Sequence, residues 1–192
     1  MHQDFRVFLA APFAQWLSAD GVVDSRARRG LTALRQTFLN LGLPVFSAHH
    51  NERWGQGWLP PETCVPSDFR AMQTADVVCA YLGTPPSGGV CLELGWASAM
   101  HKPVLLVLDD GARPSQMIEG LATVTPVRRL VVTDGLTEET AREIVDATVA
   151  LAGDCSPQQR TAWRADALDA SLGYVRAIQV AQTSELLGDS CG

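Results

Sequence analysis

The stretch DVVCAYLGTPPSGGVCLELGWASAMHKPVLLVLDD, Asp76–Asp110, decides the architecture. It opens on a continuous apolar run (Asp76–Leu82), crosses a Gly/Pro/Ser-rich loop, and ends on a second apolar run, Pro103–Asp110. Runs of that kind, with no polar alternation, suit strands buried on both faces of a parallel sheet. Between them Gly88–Met100 reads as a helix that stops at the Lys102-Pro103 turn. Strand, crossover helix and strand together make the repeating unit of an α/β protein.

The same alternation extends in both directions. FRVFLAA (Phe5–Ala11) predicts a short strand ended by Pro12. DSRARRGLTALRQTFLNLG (Asp24–Gly42) places Leu31, Leu34, Phe38 and Leu41 on one helical face and stops at Gly42. LPVFSA (Leu43–Ala48) predicts a second strand. A turn-rich loop with Trp54, Trp58 and Pro60-Pro61 follows, then a short helix over about 67–74 with Ser67 as its cap. RRLVVT (Arg128–Thr133) predicts a fifth strand, and Thr137–Gly153 a helix with a Thr cap and an acidic first turn. The expected fold is α/β, a doubly wound, five-stranded parallel sheet over 1–153. Residues 154–192, where Leu168, Leu172, Val175 and Ile178 keep helical spacing, form an expected C-terminal helical extension.

Composition narrows the function classes. The chain has 192 residues, 46% apolar and 19% charged, which suits a globular domain with a substantial core. A net charge of −6 supplies no basic field for a nucleic-acid polymer, and no apolar run reaches membrane-spanning length. The five cysteines are scattered and never spaced C-x-x-C, and Met1-His2-Gln3-Asp4 leads directly toward a strand. Both features predict reduced thiols and a cytoplasmic location. His49 and His50 are adjacent, with no Cys or His pair at ligand spacing nearby, so no metal site is expected.

Ligands of doubly wound sheets bind beyond the carboxyl ends of the strands. The small residues Ala10 and Ala11 after strand one allow close approach to the backbone. Ser87-Gly88-Gly89 leads into a helix whose N–H groups and dipole suit an anion, although a plain turn and cap would read the same way. Glu93 is expected in the first turn of that helix, ionised by the dipole, either as a catalytic carboxylate or as an ordinary first-turn acid. Asp68 is expected at the start of the short helix, as a second carboxylate of the same crevice or as a cap. Asp76 opens strand three and reads as structural.

Two motifs in fixed order, DFRAMQTADVVCA (Asp68–Ala80) and GGVCLELGWASAMHKPV (Gly88–Val104), resemble the nucleoside 2-deoxyribosyltransferase-like superfamily. The resemblance spans roughly residues 6–153 and implies a flavodoxin-like fold, with Glu93 as nucleophile, Asp68 assisting at the base, and no cofactor. Members that act on free nucleosides carry Asp where this chain has Ser87; members that hydrolyse nucleoside 5′-monophosphates carry Ser there. SQMIEG (Ser115–Gly120) resembles the segment with which those hydrolases lend a serine to the neighbouring subunit. A homodimer in which Ser115 completes the adjacent site is therefore implied.

VFLAAPF (Val7–Phe13), AHHNERWG (Ala48–Gly55) and ELGWASAMHKP (Glu93–Pro103) are similar to segments of cytidylate and hydroxymethylcytidylate N-glycosidases of nucleoside-antibiotic biosynthesis. Phe8 stands where deoxynucleotide hydrolases have Tyr, a change that implies tolerance of a ribose 2′-hydroxyl. Ala14 stands where the hydroxymethylcytidylate enzyme has Arg. Phe8, Ala11, Phe13, His49, Arg53, Ser87, Gly88, Gly89 and Ser115 are accordingly the candidate substrate-binding residues, with Trp16 and Trp54 as further aromatic candidates. The implied reaction is hydrolysis of the N-glycosidic bond of a nucleoside 5′-monophosphate, a pyrimidine ribonucleotide such as CMP, to free base and ribose 5-phosphate. Sugar transfer to another base and non-catalytic nucleotide sensing stay open as alternatives.

Overall fold

The computed structural model describes residues 5–155. Apart from Asp154 and Cys155, the expected C-terminal extension lies outside them. Five strands, β1 (Val7–Ala10), β2 (Val45–Phe46), β3 (Val77–Tyr81), β4 (Val104–Asp109) and β5 (Val127–Val132), form one sheet in the order β2-β1-β3-β4-β5. Every pairing is parallel, with Val7 opposite both Val45 and Val77, and Val104 between Val78 and Val127. The helices are α1 (Ser25–Asn40), α2 (Ala48–Asn51), α3 (Pro61–Thr74), α4 (Gly88–Ala99), α5 (Gln116–Glu119) and α6 (Glu138–Asp154).

Strands β1 and β3 are buried along their whole length, as their unbroken apolar runs require. One face packs Leu9, Cys79 and Leu105 against Leu31, Leu34 and Phe38 of α1 and Ile144 and Val145 of α6. The other packs Phe8, Val78 and Leu106 against Met72 of α3 and Val90 and Leu94 of α4. Asp24 caps α1 by accepting from the backbone N–H groups of Arg26 and Ala27 at 2.8 and 3.1 Å. Thr137 and Thr140 cap α6 reciprocally. Lys102 donates its Nζ to the carbonyl oxygens of Gln73 and Ala75 at 2.8 and 2.6 Å, placing a cation at the carboxyl end of α3.

Three local expectations are corrected. Helix α1 ends at Asn40 with Gly42 in the left-handed region (φ +77°), so Leu41 falls past the helix and is exposed. Strand β2 has only two residues, because the chain turns into α2 directly after Ser47. Helix α3 begins at Pro61 rather than near Ser67, and Pro66 sits inside it. A proline at the first helical position is favourable, whereas Pro66 reads as a breaker and disguises the first turns.

Where α1 crosses the loop before α6, a Cβ added to Gly30 would meet the carbonyl oxygen of Leu136 at 2.2 Å. That neighbour is backbone and cannot swing aside. Gly30→Ala is expected to destabilise the protein by about 1–3 kcal/mol, read from the urea unfolding midpoint. An unchanged midpoint would mean that the two elements are not held together at this contact.

Candidate active site

Strand order reverses between β1 and β3, and a cavity of about 400 Å³ opens beyond their carboxyl ends. Leu9 and Ala11 form its floor, and Phe13, Ala14, His49, Glu52 and Trp58 form one wall. Helix α3 contributes Pro61, Cys64 and Asp68, which share one face at helical spacing; α4 contributes Gly89, Val90 and Glu93, with Ser87 just before it. A second hollow of about 650 Å³, lined by Trp16, Arg26, Tyr81 and Asp134, holds none of Asp68, Ser87 and Glu93.

Seven of the candidate residues therefore meet: Ala11, Phe13, His49, Asp68, Ser87, Gly89 and Glu93. Four do not line the cavity. Phe8 is wholly buried in the core, its ring stacked on Phe46 at 5.2 Å. Arg53 is exposed, as is Gly88, the first residue of α4. Ser115 is exposed at the residue before α5, where its side chain makes no capping hydrogen bond. Trp54 is buried under Arg28, and Trp16 faces the second hollow.

Glu93 is the sixth residue of α4 and lies in its second turn, beyond the reach of the terminal dipole. The expectation of a dipole-ionised carboxylate is overturned. Burial, and then the neighbouring Asp68 carboxylate, push Glu93 up to about 8. Asp68 lies in the middle of α3, so it is no cap; burial and then Glu52 push it up to about 6. Glu52 itself is raised by burial, against a hydrogen bond from the Leu59 N–H. Three carboxyls thus share one cavity, and among the described residues no Lys or Arg lines it.

Ser87 is buried, and its hydroxyl makes no capping bond to α4, which leaves it available to a ligand. His49 is 2% exposed, with its Nε2 at 2.8 Å from the Pro12 carbonyl oxygen and its ring against Phe13 and Trp16. Burial lowers it to about 4, so it is neutral near pH 7 and brings no positive charge to a phosphate.

Glu52, Trp58 and Cys64 line the cavity without having been picked out as candidates. For Glu52 a signal existed: an acid two residues before an aromatic residue in AHHNERWG, in the segment beyond a strand. Arg53 and Trp54 then adopt φ of 49° and 61°, a left-handed pair of non-glycine residues that turns the chain there. Nothing in the residue types announces that turn.

Among the described residues, no helix is long and apolar enough to cross a membrane, and no group of three or more His, Cys, Asp or Glu is placed to hold a metal ion.

The profile of the nucleoside 2-deoxyribosyltransferase family matches residues 7–146. Two solved structures are similar to the chain. The solution structure of BlsM superposes with a TM-score of 0.67 at 35% identity, covering 80% of this chain and 94% of BlsM. The Clostridium botulinum CMP N-glycosidase BcmB gives 0.55 at 26% identity, covering 74% of this chain and 98% of BcmB. No curated protein matches. The matched region takes in all five strands, both motifs and every residue of the cavity. On that breadth of agreement, the chain belongs to the nucleoside 2-deoxyribosyltransferase family.

Proposed function

We propose that the protein hydrolyses the N-glycosidic bond of a nucleoside 5′-monophosphate, a pyrimidine ribonucleotide such as CMP, to free base and ribose 5-phosphate. The observation behind this reading is the coupling of Asp68 and Glu93 in one cavity that also holds the buried, uncapped Ser87. The similarity to BcmB, a CMP N-glycosidase, supports it. Glu93 in its ionised form attacks C1′ as the bond to the base breaks, and Asp68 in its protonated form assists the departing base. Water then resolves the glycosyl–Glu93 intermediate with retention. The phosphate is taken by Ser87 and the N–H groups at the start of α4.

A phosphate needs more than this. The shared acids repel an anion, and His49 is neutral. In this reading the missing contact is Ser115 of a second copy. Ser115 is exposed, with Met117 beside it 83% exposed, and Phe69 and Leu92 are exposed apolar residues of α3 and α4. A homodimer that covers them would bring Ser115 to the neighbouring cavity. Sugar transfer to a second base is the alternative that family membership keeps in view; Ser87 in the place of the transferases' Asp weighs against it.

Purified protein incubated with matched nucleosides and 5′-monophosphates is expected to release base from the monophosphates only. Glu93→Ala is expected to lower turnover on the order of a thousandfold or more. Release from nucleosides alone defeats the phosphate assignment, a new nucleoside formed with added base marks a transferase, and binding without release marks a sensor. The two carboxyls titrate as a pair and hold one proton between pH about 6 and about 8. Within that window the proton rests mainly on Glu93, and the reactive form, Glu93 ionised and Asp68 protonated, is the minor arrangement of the same singly protonated pair; below the window both carboxyls are protonated, and above it both are ionised. The plot of kcat/KM against pH should therefore be bell-shaped with limbs near those values, and a flat profile from pH 5 to 9 would falsify the acid–nucleophile pairing. Mixing inactive Glu93→Ala with Ser115→Ala protein should restore activity, since a mixed dimer has one intact composite site. Failure of exchanged subunits to recover activity removes Ser115 from the site.

A further inference from the structure

The reaction described above leaves one buried acid of the cavity without a task. Glu52 is 6% exposed, lines the cavity, and has no cation beside it among the described residues. Its position is built rather than incidental. The backbone N–H of Glu52 donates to the Ala48 carbonyl at 2.9 Å, and its own carbonyl accepts from Gly55 and Gly57 at 3.1 and 3.0 Å. The turn that follows holds Arg53 and Trp54 in the left-handed region, a conformation costly for such residues unless the surroundings impose it. One carboxyl oxygen, Oε2, accepts from the Leu59 N–H at 3.3 Å; Oε1 makes no hydrogen bond within the described residues.

The bond to Leu59 locates Glu52 within the cavity, because it fixes the carboxyl beside the residue that follows Trp58. This part of the lining is aromatic: Phe13 packs at 4.5 Å from His49 and edge-on at 4.9 Å from Trp58. A flat base between aromatic faces would meet Glu52 at its rim.

We propose that Glu52 is the base-reading residue of this site, its free Oε1 accepting a hydrogen bond from an exocyclic amino group, so that amino bases such as cytosine are taken in preference to their oxo counterparts such as uracil. This rests on the nucleotide-cleaving function proposed above and narrows its substrate class. An oxo group at the same place would set one acceptor against another, and a buried acceptor left unmatched is penalised more than a good pair is rewarded. The tie to Leu59 decides what a neutral substitute would do. In Glu52→Gln the amide oxygen keeps the Leu59 N–H, which leaves the amide NH₂ facing the cavity. The acceptor becomes a donor, and the preference should turn toward the oxo base.

The experiment compares kcat/KM for CMP and UMP, and for AMP and IMP, in the wild-type and Glu52→Gln proteins. Wild type is expected to favour the amino member of any pair it cleaves by roughly tenfold or more, and Glu52→Gln to abolish or reverse that ratio. Equal handling of both members by wild type overturns the proposal, as does a Glu52→Gln protein that loses both activities in equal proportion, the mark of a structural loop clamp. Should Glu52→Gln not fold, calorimetric titration of the Glu93→Ala protein with CMP and UMP gives the same comparison for binding alone, and equal affinities overturn the proposal. Wild type that binds CMP over UMP yet releases no base would sink the hydrolase reading and leave Glu52's role standing.

Discussion

Strand β1 lies between β2 and β3, and the rest of the molecule follows from that placement. The chain leaves β1 in one direction to make β2, then passes back across it to make β3. Parallel connections are right-handed, so these two crossovers put α1 on one face of the sheet and α3 on the other. Helices that part in this way cannot close over the strand ends, and the cavity is the space between them. The chain needs no special device to make a binding site there, only residues suited to line it.

Those residues work against one another. Asp68 and Glu93 hold their protons more tightly in the folded protein than in the unfolded chain. Their contribution to stability is greatest below the ordinary carboxylate range and is lost as pH rises through about 6 and about 8. A domain selected only for stability would separate or neutralise them. Repelling acids in a cleft, with shifted and differing titration, are the common signature of acid–base chemistry. The two core layers supply the rigidity that keeps the acids together.

The sheet was readable because its strands are buried on both faces: Val77–Tyr81 and Val104–Asp109 are apolar without interruption, and no helix of a small domain reads that way. Helices α1 and α6 were readable from their faces and caps. Helix α3 was cut short because Pro66 breaks the local pattern, while packing of Met72 and the termini holds the helix in spite of it. Asp68 and Glu93 were legible through their paired motifs. Their protonation was not, because it depends on burial and on a third acid, Glu52, brought near by a left-handed turn that residue types do not signal. Phe8 shows the opposite limit. A strand residue one step before Leu9 of the cavity floor points to the other side of the sheet, and similarity of sequence does not reveal which side is wet.

Lys102, the chain's single lysine, also links the far end of this machinery to its surface chemistry. Its ammonium binds the last carbonyls of α3, the helix that positions Asp68 and Cys64. Acylation of that one amine would remove the charge and two of its donors together, loosening the helix at the end remote from the cavity. Among side chains an amine-directed reagent therefore has one target in this protein, on the acid-bearing helix's end, and protection of Lys102 from it, read by peptide mapping, gauges how firmly that helix is docked.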